Sequence, residues 1–335
     1  MQITVAELDH LITRALQAAG MDEKAGSVTR AIMLTEQEGE RHHGLSKLRD
    51  YIDTLRSGWV AGKPEPTIDS PRPGVVAVDA GNGFAQPVLD RLRDAVIEKT
   101  RTSGVALLAM RNSHHYADLW PDVLPYAEQG LIAFAFLNSR SRLAPHGGSA
   151  KLFGTNPMAF ACPRAGGTPV VWDQASSVMS AMRLAAAAKR GEAVPPGVGI
   201  DRNGQPTIDP VQILDGGALL PFGGHKGSMI ALTVEIMAAA LTGGRFGIED
   251  VSHRHPGART SNAGLAMIVI DPAAVSSDFC DRVGILCSAL ASNGAARVPG
   301  EFRKARFPRP SDTVEVDSAD YRYACEIARH PGGKP

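Results

Sequence analysis

The stretch Val105-Ala106-Leu107-Leu108-Ala109-Met110-Arg111-Asn112-Ser113-His114-His115 decides the fold class. Val105–Met110 reads as an apolar strand, and the polar cluster Asn112-Ser113-His114-His115 follows it directly. Polar side chains at the C-terminal end of a strand are where α/β proteins commonly bind ligands. The same alternation continues outward. Upstream, Val75–Val78 reads as a strand and Pro87–Arg101 as a helix, with Val88, Leu89, Leu92, Ala95 and Val96 on one face. Downstream, Leu131–Leu137, Met158–Cys162, Val170–Trp172 and Leu265–Ile270 are strand candidates, and Met229–Leu241 and Phe279–Ala291 read as helices. The pattern predicts a mixed α/β fold.

The chain before this region is helical. Thr4-Val5-Ala6-Glu7 has the capping-box form, and Leu8, Leu11, Ile12, Ala15, Leu16 and Ala19 make a stripe closed by Gly20. A second helix is expected from about Glu23 to Glu38. A third starts near Ser46, with Leu48, Tyr51, Ile52 and Leu55 on one face and Gly58 as its stop. Between them lies a polar turn, Gly39-Glu40-Arg41-His42-His43-Gly44. The Pro-rich stretch from Lys63 to Pro73 is the best boundary in the sequence. It divides a helical domain, 1–72, completed by the C-terminal segment 305–335, from an α/β domain, 73–304. The tail from His330 to Pro335 reads as disordered, and no internal repeat is visible.

A chain of 335 residues is comfortable for two compact domains, and 44% hydrophobic and 21% charged residues are ordinary for a globular protein. Lys+Arg and Asp+Glu balance at 35 each, which argues against nucleic acid or an anionic membrane surface as partner. The N-terminus lacks the basic and apolar regions of a secretory signal. The longest apolar run, near Met229–Leu241, is broken by Thr233 and Glu235, so no membrane span is expected. Cys162, Cys280, Cys287 and Cys325 form no CxxC pair. Neither a disulfide frame nor a zinc site is therefore expected, and reduced cytoplasmic thiols are the simple reading. Cys280 and Cys287 read as core residues of one helix.

Ordinary nucleotide fingerprints are missing. Gly81-Asn82-Gly83 lacks the third glycine of GxGxxG, and Gly223-Gly224-His225-Lys226-Gly227-Ser228 does not meet the P-loop spacing. His43, beside His42, sits in a loop where an imidazole could give a proton to a C=O or C=N bond under reduction, or simply be solvated. Lys47, four residues later, could hold a substrate carboxylate. His114 and His115 read either as ligand contacts or as satisfied loop histidines; metal ligation is not expected of them, since adjacent histidines point different ways. Gly154-Thr155-Asn156-Pro157 and Pro221–Gly227 are tight turns or phosphate cradles, the second at a helix N-terminus with Lys226 beside it. Asp173 in Trp172-Asp173-Gln174-Ala175 could bind a ribose hydroxyl or cap the next helix.

Taken together, these motifs resemble the malate/L-lactate dehydrogenase-like oxidoreductases, a family distinct from the Rossmann-fold malate and lactate dehydrogenases. The resemblance covers nearly the whole chain. It is carried most specifically by Arg111–His115, Leu152–Pro157 and Gly216–Gly227. Within the family, Asn112–Val123 and Gly58-Trp59-Val60 are most similar to the Δ1-piperideine-2-carboxylate/Δ1-pyrroline-2-carboxylate reductases. The resemblance implies reduction of a cyclic imine to L-pipecolate or L-proline by NADPH, with NADH as the alternative, in a homodimer. It also implies a non-Rossmann, mixed-sheet nicotinamide-binding domain beside a separate helical domain.

Carried over residue by residue, the resemblance makes His43 the proton donor and puts Thr155 near the substrate, with His114 a further substrate contact. The cofactor would lie against His115, Tyr116, Ala117, Asp118 and Leu119, against Asp173, Gln174 and Ala175, against His225 and Lys226, and against Arg297, Pro299, Gly300, Glu301 and Arg303. The chain departs from the family pattern where His42 replaces a serine, Lys47 an arginine, and Arg183 an aspartate proposed to act in a relay. A lysine lacks the guanidinium fork, and Arg183 reverses a charge, lowering the pKa of a nearby histidine or anchoring a carboxylate. Two other readings follow: a 2-oxo acid/2-hydroxy acid dehydrogenase, and a nucleotide-binding member with altered catalysis.

Overall fold

A computed structural model describes residues 1–39, 44–115, 117–294, 296–301 and 312–330. The chain opens with strand β1 (Gln2–Thr4) and helices α1 (Val5–Ala18) and α2 (Ala25–Gln37). After a 3-10 turn at Leu45–Lys47 come α3 (Leu48–Arg56), the short strand β2 (Thr67–Asp69), β3 (Val75–Phe84), α4 (Ala85–Ser103) and β4 (Val105–His114). Helix α5 (Trp120–Glu128) leads to β5 (Ile132–Leu137), β6 (Met158–Cys162) and β7 (Val170–Gln174). A smaller group follows: α6 (Ala181–Arg190), β8 (Gly199–Ile200), β9 (Pro206–Thr207), α7 (Pro210–Leu214) and β10 (Ala218–Leu219). The chain continues through α8 (His225–Glu235), β11 (Ala263–Ile270), α9 (Phe279–Ala291), β12 (Thr313–Glu315) and α10 (Ser318–Arg329).

The main sheet has seven strands in the order β2-β3-β4-β11-β5-β6-β7. Only β3 and β4 run parallel, joined by the crossover helix α4; every other neighbour is antiparallel. This is a mixed α/β fold and not a Rossmann sheet, which would be mostly parallel. Strand β11 sits at the centre, and Ala263–Met267 are buried on both of its faces, which is why it reads as an unbroken apolar run. Gly264 has a specific reason to be glycine: a Cβ there would lie 1.7 Å from the Ala238 carbonyl oxygen, in the turn of π-helix that continues α8.

The capping box at Thr4 forms as read, with Glu7 N donating to Thr4 Oγ1 and Thr4 N to the Glu7 carboxylate. Leu8, Ile12, Ala15 and Leu16 of α1 are buried in an apolar cluster with α2, α3 and residues of the C-terminal segment, among them Val314, Ala324 and Ile327. Strand β1 pairs with β12, placing Ile3 against Val314. No helix among the described residues is long and apolar enough to cross a membrane.

Several local expectations are corrected. Asn112, Ser113 and His114 do not follow the strand but belong to β4, because a shift in pairing with β3 and β11 lets it run on past Met110. Gly81-Asn82-Gly83 lies inside β3, with Gly81 and Asn82 at positive φ. The Pro-rich boundary holds the edge strand β2. Cys287 is buried but Cys280 only partly, and Ile285 and Leu286 of the same helix are exposed. The apolar helix begins at His225, earlier than Met229. Of the expected disordered tail, residues 331–335 lie outside the described residues; His330 ends α10.

Candidate active site

Antiparallel pairing collects one set of strand ends at one end of the sheet. The C-terminal end of β4 lies beside the start of β11, which lies beside the end of β5, the start of β6 and the end of β7. The loops leaving these ends line a cavity of about 710 Å³, a size typical of small-molecule sites. Into it come Lys47, His115, Ala117, Asp118, Leu119, Thr155, Asp173, Gln174, Ala175 and Arg183, which the sequence had named from separate segments. The sequence reading missed Arg140, Arg142, Ser139 and Ser261, on the loops after β5 and before β11, and Arg259. These loops carry no recognisable motif; Arg140 and Arg142 two apart after an apolar strand were the only signal.

Among the described residues, Lys47, Arg140, Arg142, Arg183 and Arg259 face Glu38, Asp118 and Asp173 around the cavity, so the lining is net cationic. Lys47 is placed by a tight local device. Buried Glu36 accepts from Leu45 N at 2.7 Å and so holds the 3-10 turn that carries Lys47. Gly44 permits this approach, since a Cβ there would lie 2.0 Å from Glu36 Oε2. Lys47 Nζ donates to Asp50 Oδ2 at 2.9 Å and touches Met182 Sδ; its side chain is 3% exposed. Burial pulls the Lys47 pKa below the ordinary lysine value, Asp50 opposes this, and Arg142 adds to it. Arg259 lies 3.5 Å from Asp53 Oδ2 and 4.0 Å from Asp50 Oδ1, tying α3 to the loop before β11. Arg183 is exposed at the cavity, in the first turn of α6, where its backbone N donates to the Ser180 cap.

The two histidines of the β4 motif have separate tasks. His114 is fully buried, its Nδ1 2.8 Å from Thr260 Oγ1 and its Nε2 3.0 Å from Asn82 Oδ1. Burial pushes its pKa down to about 3, which keeps it neutral. It is not in the cavity lining, and both ring nitrogens lie against partners within the fold. His115 does line the cavity, with Nε2 2.6 Å from Asp122 Oδ2. Asp173 lines the cavity and also serves α5, a helix earlier in the chain: its Oδ2 accepts from Leu119 N and Trp120 N at the start of that helix.

Asn156, in the Gly154–Pro157 turn, adopts positive φ and joins the loops behind the cavity. Its Nδ2 donates to buried Glu235 Oε2 at 2.6 Å, and Asn138 Nδ2 donates to Glu235 Oε1. This turn is a structural knot, with only Thr155 and Pro157 reaching the cavity. The segment before α8 runs beside residues 176–178, which turns Phe222 into the wall. His225 and Lys226 are exposed at the start of α8 and are not in the lining. Arg297, Pro299, Gly300 and Glu301 also lie outside it. Pro299 accepts from Val171 N, a Cβ on Gly300 would press on β7, and Glu301 pairs with Arg164. The cavity does not include these residues because they support the outer edge of the sheet. His42, His43, Tyr116 and Arg303 lie outside the described residues. No group of three or more His, Cys, Asp or Glu side chains that could hold a metal comes together among the described residues.

A family model described as malate/L-lactate dehydrogenase matches residues 3–322. The chain belongs to this family. It is an oxidoreductase acting on a small molecule. Among curated relatives, a Δ1-pyrroline-2-carboxylate/Δ1-piperideine-2-carboxylate reductase from Pseudomonas syringae pv. tomato is 46% identical over 297 residues, covering 88% of this chain and 87% of that protein. A (2R)-3-sulfolactate dehydrogenase (NADP+) from Chromohalobacter salexigens is 35% identical over 318 residues, covering 95% of each. Among solved structures, Δ1-piperideine-2-carboxylate reductase from Pseudomonas syringae pv. tomato superposes with a TM-score of 0.94 at 42% identity, covering 98% of this chain and 99% of that one.

Proposed function

We propose that this oxidoreductase reduces a small cyclic imine carboxylate, Δ1-piperideine-2-carboxylate or Δ1-pyrroline-2-carboxylate, to L-pipecolate or L-proline, using NADPH. The observation that carries the reading is the convergence of Lys47, Arg183 and Thr155 on one cavity with the segments His115–Leu119 and Asp173–Ala175. The likeness to reductases of that name at 46% and 44% identity supports it.

The cavity suits a nicotinamide dinucleotide by its own chemistry. Among the described residues its lining is net cationic, a charge suited to the phosphates of a dinucleotide. His115, Ala117, Asp118, Leu119, Gln174 and Ala175 would hold the cofactor. His225, Lys226, Pro299, Gly300, Glu301 and Arg297 are kept as contacts only for the part of a dinucleotide that extends beyond the cavity. The four arginines favour the extra phosphate of NADPH, and the sulfolactate relative carries NADP+ in its name. When bound, the reduced nicotinamide supplies a hydride to the imine carbon beside the carboxylate. Lys47 holds the substrate carboxylate, with Arg183 at the cavity edge as a second cation. His43 gives its proton to the substrate nitrogen. The chain reaches the cavity at Glu38 and at Lys47, on either side of His43 in sequence, and this supports the assignment.

The division into a helical domain, 1–72 with 305–335, and a cofactor domain, 73–304, fits the apolar cluster shared by α1 and α10. A homodimer is supported by Met229, Leu232 and Ile236, exposed at helical spacing on one face. Four free cysteines suit a reducing cytoplasm. A second reading, reduction of a 2-oxo acid with His43 protonating oxygen, is favoured by the sulfolactate relative. Initial rates with the two cyclic imines, pyruvate and oxaloacetate, each with NADPH and NADH, decide between them. Turnover of the oxo acids without turnover of the imines would overturn the first reading.

A further inference from the structure

Lys47 stands where a cation is hard to keep. It is the N-cap of α3, so its ammonium adds to the positive end of that helix. Its side chain is 3% exposed, with Nζ against the Met182 thioether, and Arg142 is near enough to repel it. Burial, the helix end and the guanidinium all disfavour the charged form. A neutral amine would no longer offer a substrate carboxylate an opposite charge.

Asp50 opposes these effects. It lies one turn along the chain from Lys47, with Oδ2 2.9 Å from Nζ. It also occupies the first turn of α3, where negative charge is favoured. Arg259 reaches its other oxygen from the loop before β11, with Nε 4.0 Å from Oδ1. The carboxylate thus lies between two cations that line the cavity, while Asp50 itself is not in the lining. Of the other charged groups nearby, Glu36 of α2 accepts from Leu45 N in the same 3-10 turn, Glu38 lines the cavity, and Arg183 follows Met182 in α6.

We propose that Asp50 is a positioning residue for carboxylate binding: through its bond to Nζ it holds Lys47 in the cavity wall as the ammonium that the substrate carboxylate meets. The inference rests on the reading of Lys47 as the carboxylate anchor. Asp50 acts through Lys47 and touches neither substrate nor cofactor. The sign of the effect follows from the charges around Lys47. Burial pulls its pKa below the ordinary lysine value, Asp50 works against that fall, and Arg142 adds to it. Without Asp50 the ammonium gives up its proton at lower pH, so carboxylate binding weakens first on the alkaline side.

The test follows KM and kcat for the imine carboxylate from about pH 6 to 10 in wild type, in Asp50→Asn and in the double variant Lys47→Arg with Asp50→Asn. Asp50→Asn should raise KM about tenfold at about pH 8 with kcat within about threefold, and the rise of KM with pH should begin earlier than in wild type. An arginine keeps its proton throughout, so the double variant should bring KM back toward wild type and lose the alkaline rise. NADPH affinity, measured by fluorescence, should stay within about threefold in both variants. The Lys47 Nζ resonance, followed by NMR without substrate, should titrate at lower pH in Asp50→Asn than in wild type. An unchanged pH dependence of KM in folded Asp50→Asn, or the same Lys47 titration in both proteins, overturns the proposal. A joint loss of kcat and NADPH affinity assigns Asp50 a merely structural role and overturns it too. Should the wild type reduce 2-oxo acids and not imines, KM for pyruvate carries the same test, since the carboxylate is common to both. An unchanged KM in Lys47→Met, with the NMR shift still present in Asp50→Asn, overturns the anchor reading of Lys47, and this inference with it.

Discussion

Lowering the pH from 7 to 5 should destabilise the protein through His114 in particular. Buried between Thr260 and Asn82, this imidazole is held neutral, with its pKa pushed down to about 3. In the unfolded chain it titrates near the ordinary value of about 6.5. Between these values the unfolded state binds the proton that the folded state refuses, so stability falls as pH drops below about 6.5, and the loss is complete only below about 3. Integrating over the window from pH 7 to 5 gives a loss of about 2 kcal/mol from this residue. The assay is urea unfolding at both pH values for wild type and for His114→Asn, whose amide can still reach one partner. The variant should be less stable at pH 7 but should lose about 2 kcal/mol less than wild type on going to pH 5. Equal pH dependence in the two proteins, or an NMR titration of folded His114 near pH 6.5, would refute the argument.

Other changes probe the cavity and its supports. Lys47→Met keeps the buried volume and removes the cation, and should lower kcat/KM for the imine carboxylate about 10- to 100-fold, mainly through KM. His43→Ala should abolish turnover while NADPH still binds; retained turnover would remove His43 as proton donor. Glu235→Gln turns an amide N–H toward donors from Asn138, Gly247 or Asn156 and should cost about 2–4 kcal/mol in urea unfolding. Gly44→Ala forces Glu36 away from Leu45 N, and should lower Tm by several degrees for a cost of about 1–3 kcal/mol.

The α/β class, the capping box at Thr4 and the strands Met158–Cys162 and Val105–Met110 were legible because each depends on residues adjacent in sequence. The limits of β4 were not. Asn112 to His114 are polar, and their place in a strand depends on partners at Gly83, Phe84 and Ala263. Helix α5 was hidden by Pro121 and Pro125, although Pro121 occupies the first turn, where its missing N–H costs little. Within the site, Lys47, Thr155, Asp173 and Arg183 were named in advance by their motifs and resemblance. Arg140, Arg142 and Arg259 were not, since only the antiparallel pairing of β11 with β4 and β5 brings their loops together. The roles of His114 and His115 could not be divided from sequence either, because Thr260 lies 146 residues from His114.

The β3-α4-β4 unit of this chain leaves no room for a ligand at the place where a parallel βαβ unit usually offers one. In a parallel βαβ unit, the first strand-to-helix turn is where glycine amides meet a pyrophosphate. Here β3 runs straight into α4, and the end of the strand is occupied by its own chain. Asp79 Oδ1 accepts from Gly81 N and Asn112 Nδ2, while Asn82 Oδ1 takes His114 Nε2 and Asn262 Nδ2 as neighbours. Even a Cβ would collide there, with Glu65 backbone at Gly81 and with the Pro64 ring at Gly83. The glycines therefore let the Pro-rich segment pack against β3 and leave no room for a phosphate. The antiparallel strands offer the alternative, because pairing β11 between β4 and β5 gathers loops from five strands at one end of the sheet. A site assembled from so many loops can keep the segments we propose to face the cofactor, His115–Leu119 and Asp173–Ala175, while the charges near the substrate change. Lys47 and Arg183 are such changes, and both add to or preserve positive charge. A carboxylated substrate is consistent with that direction, whichever bond, C=N or C=O, is reduced.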